Sequence, residues 1–168
     1  LYSETQDPHN HEKINFTPTE NIIKGGELNA KNKINDFKKY LNEYKLARDF
    51  PSLEKTSGLS PYIRMGNISI RDIVRFSLSQ KTEGAQTFLS EIIWREFYQM
   101  ILSVYPKIET KCFRSDYDQL QWENNPLYFE AWKKGLTGYP LVDAAMRSLN
   151  ETGLMHNRLR MVVASFLT

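Results

Sequence analysis

Apolar residues recur along most of this 168-residue chain at helical spacing, and no segment alternates convincingly at the two-residue period of a strand. Proline and glycine divide the pattern into short segments. Pro51, Pro106 and Pro140 stand at segment boundaries, and Gly135 and Gly153 stand at expected helix ends. The pattern therefore predicts an all-α fold of about six or seven helices.

The expected helices follow from these boundaries. They begin near Leu28, Ser69, Ala85, Pro126, Pro140 and Asn157, and the longest runs from about Ala85 to Val104. The expected buried stripes comprise Leu28, Ile34, Phe37, Leu41 and Tyr44 in the first segment and Ile70, Ile73, Val74 and Leu78 in the second. In the last helix, Leu159, Val163 and Phe166 fall on one side. Each stripe predicts which face of its helix packs inward.

The polar segment before the first helix is expected to be a separate unit. Residues 1–27 contain Pro8, Pro18 and a Gly pair, which predicts a lead-in or linker before a helical domain over residues 28–168.

The apolar pattern of the last helix reaches Thr168 without a capping residue, so we expect the chain to be truncated there. We also expect Val163 and Phe166 to be exposed and to promote self-association.

Composition excludes several classes of protein. No apolar run approaches the length of a membrane span. The net charge of +2 is too small to indicate a nucleic-acid partner by itself. The single cysteine, Cys112, cannot form an intramolecular disulfide, which favours a reducing cytoplasm. The three histidines are too scattered to predict a metal site.

The longest predicted helix has two different faces. Leu89, Ile92, Ile93, Phe97, Met100 and Val104 form the expected core face, and Phe88, Glu91, Trp94, Arg95 and Tyr98 fall on the other. The second face is either a solvated surface or a surface that stacks a flat ligand on Trp94. The basic stretch 156–160 is either an anion site at a helix N-terminus or a basic patch in solvent. The hydroxyl-rich loop 56–60 either holds phosphate oxygens or is a cluster of capping and turn residues. From the residues alone, no reaction follows.

Four blocks of the sequence resemble those of one family. Residues 137–149 (TGYPLVDAAMRSL) and 152–167 (TGLMHNRLRMVVASFL) resemble the two signatures of DNA photolyases and cryptochromes. Residues 91–98 (EIIWREFY) and 56–62 (TSGLSPY) resemble two further blocks, in the family's order. The resemblance covers residues 25–168. It implies part of the helical FAD-binding domain of a bacterial class I cyclobutane-pyrimidine-dimer photolyase, without the antenna domain or the downstream part.

The resemblance implies roles for particular residues. FAD contacts are implied at Tyr44, Thr56, Ser57, Gly58, Leu59, Ser60, Phe88, Asn157 and Arg160. Contacts with DNA are implied at Arg48, Glu91, Trp94, Arg95, Tyr98 and Arg158. Trp94 would stack on flipped pyrimidines, Glu91 would hydrogen-bond them, Asn157 would lie near the flavin, and Met161 would lie near the dimer. Trp122 would be the surface end of the tryptophan chain that reduces the flavin. Gly58 stands where a basic residue is common, and Phe88 where many members have Trp.

The implied activity is light-driven splitting of cyclobutane pyrimidine dimers by electron transfer from reduced FAD. Two alternatives remain: a cryptochrome-like signalling flavoprotein without repair activity, and an inactive helical DNA-binding fragment. Flavin absorbance of the purified protein distinguishes the two flavoproteins, which would be yellow, from the inactive DNA-binding fragment, which would be colourless. The acidic FAD loop and the inner tryptophans would follow Thr168, so we expect this chain by itself to bind FAD weakly. The antenna pigment stays undefined.

Overall fold

The computed structural model describes residues 23–168, and the regular secondary structure in that range is helical. The helices are α1 (Glu27–Lys38), α2 (Tyr44–Ala47), α3 (Ser60–Arg64), α4 (Ile70–Ser79), α5 (Glu83–Val104), α6 (Pro126–Lys134), α7 (Pro140–Thr152) and α8 (Asn157–Leu167). Short 3₁₀ turns cover Leu41–Glu43, Pro51–Leu53, Pro106–Glu109 and Ser115–Gln119. The all-α prediction is confirmed. Most of the predicted polar lead-in lies outside the described residues, and α1 begins one residue before Leu28.

Side-chain caps define three helix starts, and α5 begins at Glu83, two residues before the predicted Ala85. Ser69, Thr82 and Asn125 each accept a hydrogen bond from a backbone N–H in the first turn of the following helix, at 3.0–3.4 Å. Gly135 and Gly153 end α6 and α7 in the left-handed conformation, at φ of 65° and 71°. Within residues 23–168, no helix is both long enough and apolar enough to cross a bilayer.

A buried aromatic cluster forms the centre of the first hydrophobic core. The ring of Phe37 on α1 lies 5.3 Å from that of Tyr44 and 4.8 Å from that of Phe88, measured between centroids. Tyr44 and Phe88 meet edge to face at 5.6 Å. The remaining buried members of this core are Ala30, Leu41, Leu59, Tyr62, Ile73, Ala85 and Ile92. The core therefore joins α1 to α5.

The first turn of α5 comes unusually close to the segment before α2. A Cβ atom at Gly84 would lie 1.8 Å from the carbonyl oxygen of Leu41 and 3.1 Å from that of Asn42. Only a residue without a side chain leaves room for these two backbone segments to touch. Gly84 therefore sets the position of α5 on the first core.

The prediction of the core face of α5 is wrong over much of the helix. Its buried residues are Gly84, Ala85, Phe88 and Ile92, all in the first half of the helix. Ile93 and Val104 are each 60% exposed, and Met100 is 51% exposed. Phe88, placed by the sequence on the face of Trp94, points inward because the close contact at Gly84 turns that side of the helix toward α1. Leu28 and Leu78, expected in buried stripes, are exposed as well.

A second hydrophobic core lies between α6, α7 and α8. Its buried members are Val142, Ala145, Met146 and Val163, against which Trp132, Leu149, Met155 and Leu159 pack. The indole Nε1–H of Trp132 donates to the backbone oxygen of Val163 at 3.0 Å. Val163 is therefore buried, which corrects its place in the expected exposed face. Phe166 remains partly exposed and meets the ring of Tyr139 at 4.9 Å. Self-association stays a prediction.

The buried carboxylate of Asp143 holds the turn between α6 and α7. Its Oδ1 accepts hydrogen bonds from the backbone N–H of Thr137 at 2.8 Å and from the hydroxyl of Thr137 at 2.6 Å. Its Oδ2 accepts from the N–H of Gly138 at 2.9 Å. The Thr137 hydroxyl bond and the two backbone bonds lower the pKa of Asp143 from its ordinary value, and they outweigh the opposing effect of burial.

Two further residues of α7 satisfy backbone oxygens at the end of α6. Arg147 donates from Nη1 to the carbonyl of Gly135 at 3.0 Å, and Asn150 donates from Nδ2 to that of Lys133 at 2.8 Å. Helix ends leave such carbonyls without partners inside the helix. One face of α7 thus caps α6, which fixes the angle between them and the surface on which α8 packs.

We expect Gly84→Ala to lower the free energy of unfolding by at least about 2 kcal/mol, because the added methyl must push two backbone segments apart. Gly25→Ala is the matched control. Its Cβ would meet only the side chain of Asn67, at an ordinary 3.7 Å, and we expect a change within about 0.5 kcal/mol. Urea denaturation of the three proteins measures both values. Equal stability of the two variants would contradict the close contact.

We expect Asp143→Asn to destabilise the protein at neutral pH and to make its stability less dependent on pH in acid. Because folding lowers the pKa of Asp143, its contribution is fully present above the unfolded value of about 3.9 and is lost as the pH falls through the folded value. The difference between wild type and variant should therefore shrink below about pH 4. Unfolding measured from pH 7 to 3 tests this, with Glu151→Gln, an exposed carboxyl on the same helix, as control.

Candidate functional site

Three exposed aromatic rings stand together on α5. The rings of Trp94 and Tyr98 are stacked, with centroids 6.0 Å apart and planes inclined by 30°. Phe97 meets them edge-on at 5.4 and 5.6 Å. Trp94 is 52% exposed although it packs on both neighbours, and Glu91 lies one turn before it. A supported, open indole beside a carboxylate is suited to stack a flat ligand and to accept hydrogen bonds from it.

Glu91 on α5 is the first member of a chain of polar contacts that runs through the segment after α2 to α8. Arg48, directly after α2, donates from Nη1 to Glu91 Oε1, and its Nε lies 3.8 Å from Asp49 Oδ1. Arg158 on α8 donates from Nε and Nη2 to the same Asp49 oxygen at 2.9 and 2.6 Å. Its Nη1 lies 3.8 Å from the sulfur of Met161. We call these five residues the ionic rim.

The guanidinium of Arg48 is the most enclosed charge of the ionic rim. It lies 5.7 Å from the centroid of the Tyr44 ring, within cation–π distance. Burial disfavours its charged form, but its bond to Glu91 and the nearby Tyr44 and Asp49 raise its pKa above the ordinary value. Burial, ahead of the charges around it, raises the pKa of Tyr44. Arg48 therefore stays charged and holds Glu91 in place.

The first turn of α8 presents polar groups beside the ionic rim. His156 caps the helix, since its Nδ1 accepts from the N–H of Arg158 at 3.1 Å. This bond requires an unprotonated Nδ1, and burial followed by the charge of Arg158 lowers the pKa of His156. The buried Nε2 has no hydrogen-bond partner among the described residues. Asn157 and Arg160 are exposed in the turn that His156 caps.

The hydroxyl-rich loop at residues 56–60 is anchored from below. The side chain of Leu59 is fully buried, and its backbone N–H lies 3.4 Å from Ser57 Oγ. Thr56 and Ser60 are exposed, and Gly58 adopts a positive φ of 60°. The loop therefore turns its hydroxyls and part of its backbone outward while Leu59 fixes it to the first core.

A lysine from α1 occupies the space above this loop. A Cβ atom at Gly58 would lie 2.6 Å from Lys33 Cε and 3.3 Å from Lys33 Nζ. The Lys33 side chain thus fills the volume that a side chain at position 58 would need, and its ammonium group lies over the loop. Hydroxyls, outward backbone and an ammonium group are the donors that hold phosphate oxygens in proteins.

Known proteins match this arrangement in sequence and in structure. The sequence model described as the FAD binding domain of DNA photolyase matches residues 88–168. The deoxyribodipyrimidine photo-lyase of Vibrio cholerae is 50% identical over 134 residues, which are 76% of this chain and 29% of that protein. A class III photolyase of Agrobacterium tumefaciens superposes with a TM-score of 0.81 at 41% identity, over 84% of this chain and 30% of that one. The chain belongs to the DNA photolyase family.

FAD is the cofactor of this photolyase domain. An archaeal photolyase from Sulfolobus tokodaii, solved with two FAD molecules, superposes with a TM-score of 0.79 at 34% identity, over 93% of this chain and 34% of that one. The chain spans about 30% of the length of the curated photolyases that it matches.

The loop at residues 56–60 and the first turn of α8 offer polar groups of the kinds that hold phosphates and polar ring edges. Gly58 leaves room for the Lys33 side chain, whose ammonium nitrogen lies 3.3 Å from where a Cβ atom of residue 58 would stand. Asn157 and Arg160, in the first turn of α8, offer an amide and a guanidinium to polar ring edges. These donors agree in kind with a negatively charged dinucleotide.

Two residues for which the photolyase resemblance implies FAD contacts lie in the first core, where the sequence predicted Tyr44 but not Phe88. Tyr44 and Phe88 were expected at the flavin, but they are 8% and 3% exposed and form the aromatic cluster with Phe37. Their rings support the site from the core and have little surface open to a ligand. Leu59 is also buried, so that only its backbone faces the loop.

The remaining predicted residues are exposed or half-buried. Arg95 donates to Gln99 along α5 at 3.3 Å, and Tyr98 stacks on Trp94. Met161 is 56% exposed on α8. Trp122 is 53% exposed and lines a cleft with α6 and the end of α8, apart from the residues of the ionic rim. This exposed position agrees with that of a surface tryptophan. Its role in reducing the flavin, which the resemblance implies, remains a prediction.

Sequence reasoning missed two residues that the structure places beside the predicted ones, Lys33 and Asp49. Lys33 belongs to a helix whose lysines all read as a solvated face, and only its position over Gly58 singles it out. Asp49 lies outside every block that resembles the family, between α2 and a 3₁₀ turn. Its neighbour Arg48 was predicted, but no local pattern could predict a bond to Arg158, which lies 109 positions away.

Proposed function

We propose that this chain contributes the lesion-facing part of a light-driven DNA repair flavoenzyme that splits cyclobutane pyrimidine dimers. The observation that carries the proposal is the placement of open Trp94 beside Glu91, to which Arg48 donates a hydrogen bond. The family match and the photolyase relatives support it. Assignment to class I among these enzymes is part of the proposal, and so is a cytoplasmic location.

The protein groups would act by binding and orienting the two linked pyrimidines, which are neighbours on one DNA strand. Trp94 offers a flat face on which flipped pyrimidines stack, and its contacts with Phe97 and Tyr98 keep the indole in place. The Glu91 carboxylate would accept hydrogen bonds from the N–H groups of a pyrimidine ring. Met161 would cover the apolar side of the dimer. These residues share one surface because the ionic rim connects α5 to α8.

When bound, reduced FAD would supply the electron that splits the dimer. The chain's own residues would hold the cofactor in position: the 56–60 loop and Lys33 at its phosphates, and Asn157 and Arg160 near its ring system. The His156 cap keeps the first turn of α8 formed, and that turn carries both of these side chains. The protein thus positions and polarises, and the electron chemistry belongs to the cofactor.

Recognition of DNA would depend mainly on the phosphate backbone, because the target is a lesion and not a base sequence. Arg48, Arg95 and Arg158 supply cations around the aromatic face, while Tyr98 extends its area. Contacts of this kind release counterions from DNA, so affinity should fall as salt concentration rises.

We expect Trp94→Ala in the full-length protein to weaken binding of a dimer-containing duplex by about tenfold or more, since each stacked base contributes about 1–3 kcal/mol. Trp122→Phe is the matched variant, because Trp122 is equally exposed, at 53% against 52%. It should leave binding in the dark unchanged and slow light-driven reduction of the flavin. Titration of labelled duplexes and flavin absorbance under illumination measure the two effects. Equal binding by wild type and Trp94→Ala would refute the stacking role.

We expect Lys33→Ala in the full-length protein to weaken FAD binding by about tenfold or more, because a hydrogen bond to a charged phosphate contributes about 1.5–3 kcal/mol. Lys38→Ala removes an exposed lysine from the same helix and should leave the affinity unchanged. Calorimetric titration of FAD into the apoprotein gives both dissociation constants. Identical constants for the two variants would show that Lys33 does not reach the cofactor.

A further inference from the structure

Asp49 is the one carboxylate of the ionic rim that lies between two guanidinium groups, those of Arg48 and Arg158. Its Oδ1 receives two hydrogen bonds from Arg158, at 2.9 and 2.6 Å, and lies 3.8 Å from Nε of Arg48. Two like charges this close repel each other unless an anion lies between them. Asp49 therefore permits Arg48 and Arg158 to stand side by side.

The Asp49–Arg158 pair fixes geometry more than it stabilises the fold. Their side chains are 46% and 42% exposed, and ion pairs this open contribute little to the free energy of unfolding. Two donors on one oxygen nevertheless restrict the guanidinium to one orientation. In that orientation Nε and Nη2 face Asp49, and Nη1 is directed toward Met161 and the exposed surface of α8.

The pair also joins the two helical groups at the proposed site. Asp49 follows α2, which packs on the first core, whereas Arg158 belongs to α8, which packs on the second. Glu91 reaches Asp49 through Arg48, and Met161 reaches it through Arg158. Every connection in the rim between the carboxylate beside Trp94 and the sulfur on α8 thus passes through Asp49.

We propose that Asp49 is a positioning residue for damage recognition. It orients Arg158 and keeps it beside Arg48, so that the two guanidinium groups together border Trp94. The inference rests on the proposed function. It assigns Asp49 no contact with DNA or with the flavin. Its effect is on discrimination: without Asp49 the two arginines separate, and Arg158 still attracts phosphate but no longer at a defined place.

This role predicts opposite effects on two affinities of the full-length protein. Asp49→Asn removes a negative charge, so binding of an undamaged duplex should stay equal or become tighter. Binding of the same duplex with one thymine cyclobutane dimer should become weaker, because the oriented guanidinium is lost. We expect the ratio of the two affinities to fall by about tenfold, or roughly 1.4 kcal/mol. Asp49→Glu keeps the charge and should recover part of the ratio.

Asp36→Asn provides the matched control. Asp36 is likewise exposed and paired with a cation, Lys39, at 2.8 Å, but it lies on α1 away from the rim. This variant should leave the ratio unchanged. In an Arg158→Gln background, adding Asp49→Asn should lower the ratio no further, since its effect acts through Arg158. Melting temperatures of all variants show whether any loss follows general destabilisation.

The outcomes separate the two proposals. A wild-type protein that does not prefer the damaged duplex would refute the proposed function and this inference with it. A wild-type preference that Asp49→Asn retains within twofold would overturn the positioning role alone. Equal weakening on both duplexes with a lowered melting temperature, or a further loss in the Arg158→Gln background, would overturn it as well. A selective fall that Asp36→Asn does not reproduce supports it.

Discussion

The contact between the Leu41 carbonyl and Gly84 determines where α5 lies, and the candidate site depends on α5. Two backbone segments touch there without a side chain between them, which turns Ala85, Phe88 and Ile92 inward. The same side of the helix brings half-buried Glu91 to Arg48 after α2, and Trp94, one turn further along, is exposed beside it. A bulkier residue at position 84 would move the carboxylate and the indole together, because both belong to one rigid helix.

Two cores built on different principles hold the two halves of the site. The first is centred on edge-to-face aromatic rings, and its members come from α1 to α5. The second is smaller and aliphatic, and polar bonds from Asp143, Arg147 and Asn150 reinforce its helix corner. Salt bridges of the ionic rim connect the halves. Glu91, Arg48, Asp49 and Arg158 therefore lie where the two helical groups meet, and binding sites are common at such junctions.

The sequence predicted helices and their ends better than it predicted faces. Ser69, Asn125 and Gly135 act locally, through bonds to backbone groups within a few residues, so their pattern alone is sufficient. The inward turn of Phe88 and the exposure of Met100 depend on what packs against α5, which periodicity does not contain. The resemblance supplied Glu91, Trp94 and Arg158 because they lie in its blocks. Asp49 and Lys33 act across long sequence separations, and no local pattern marks them.

The separation of the two cores has a consequence for how the chain opens and closes. Each helical group buries its own apolar residues, and exposed ion pairs contribute little cooperativity between groups. The groups should therefore behave as two units of local unfolding, with backbone amides of α5 and of α7 exchanging with solvent through separate openings. Residues such as Asn157 and Met161 would then sample their positions through brief excursions of α8 while the aromatic core beneath α5 stays closed.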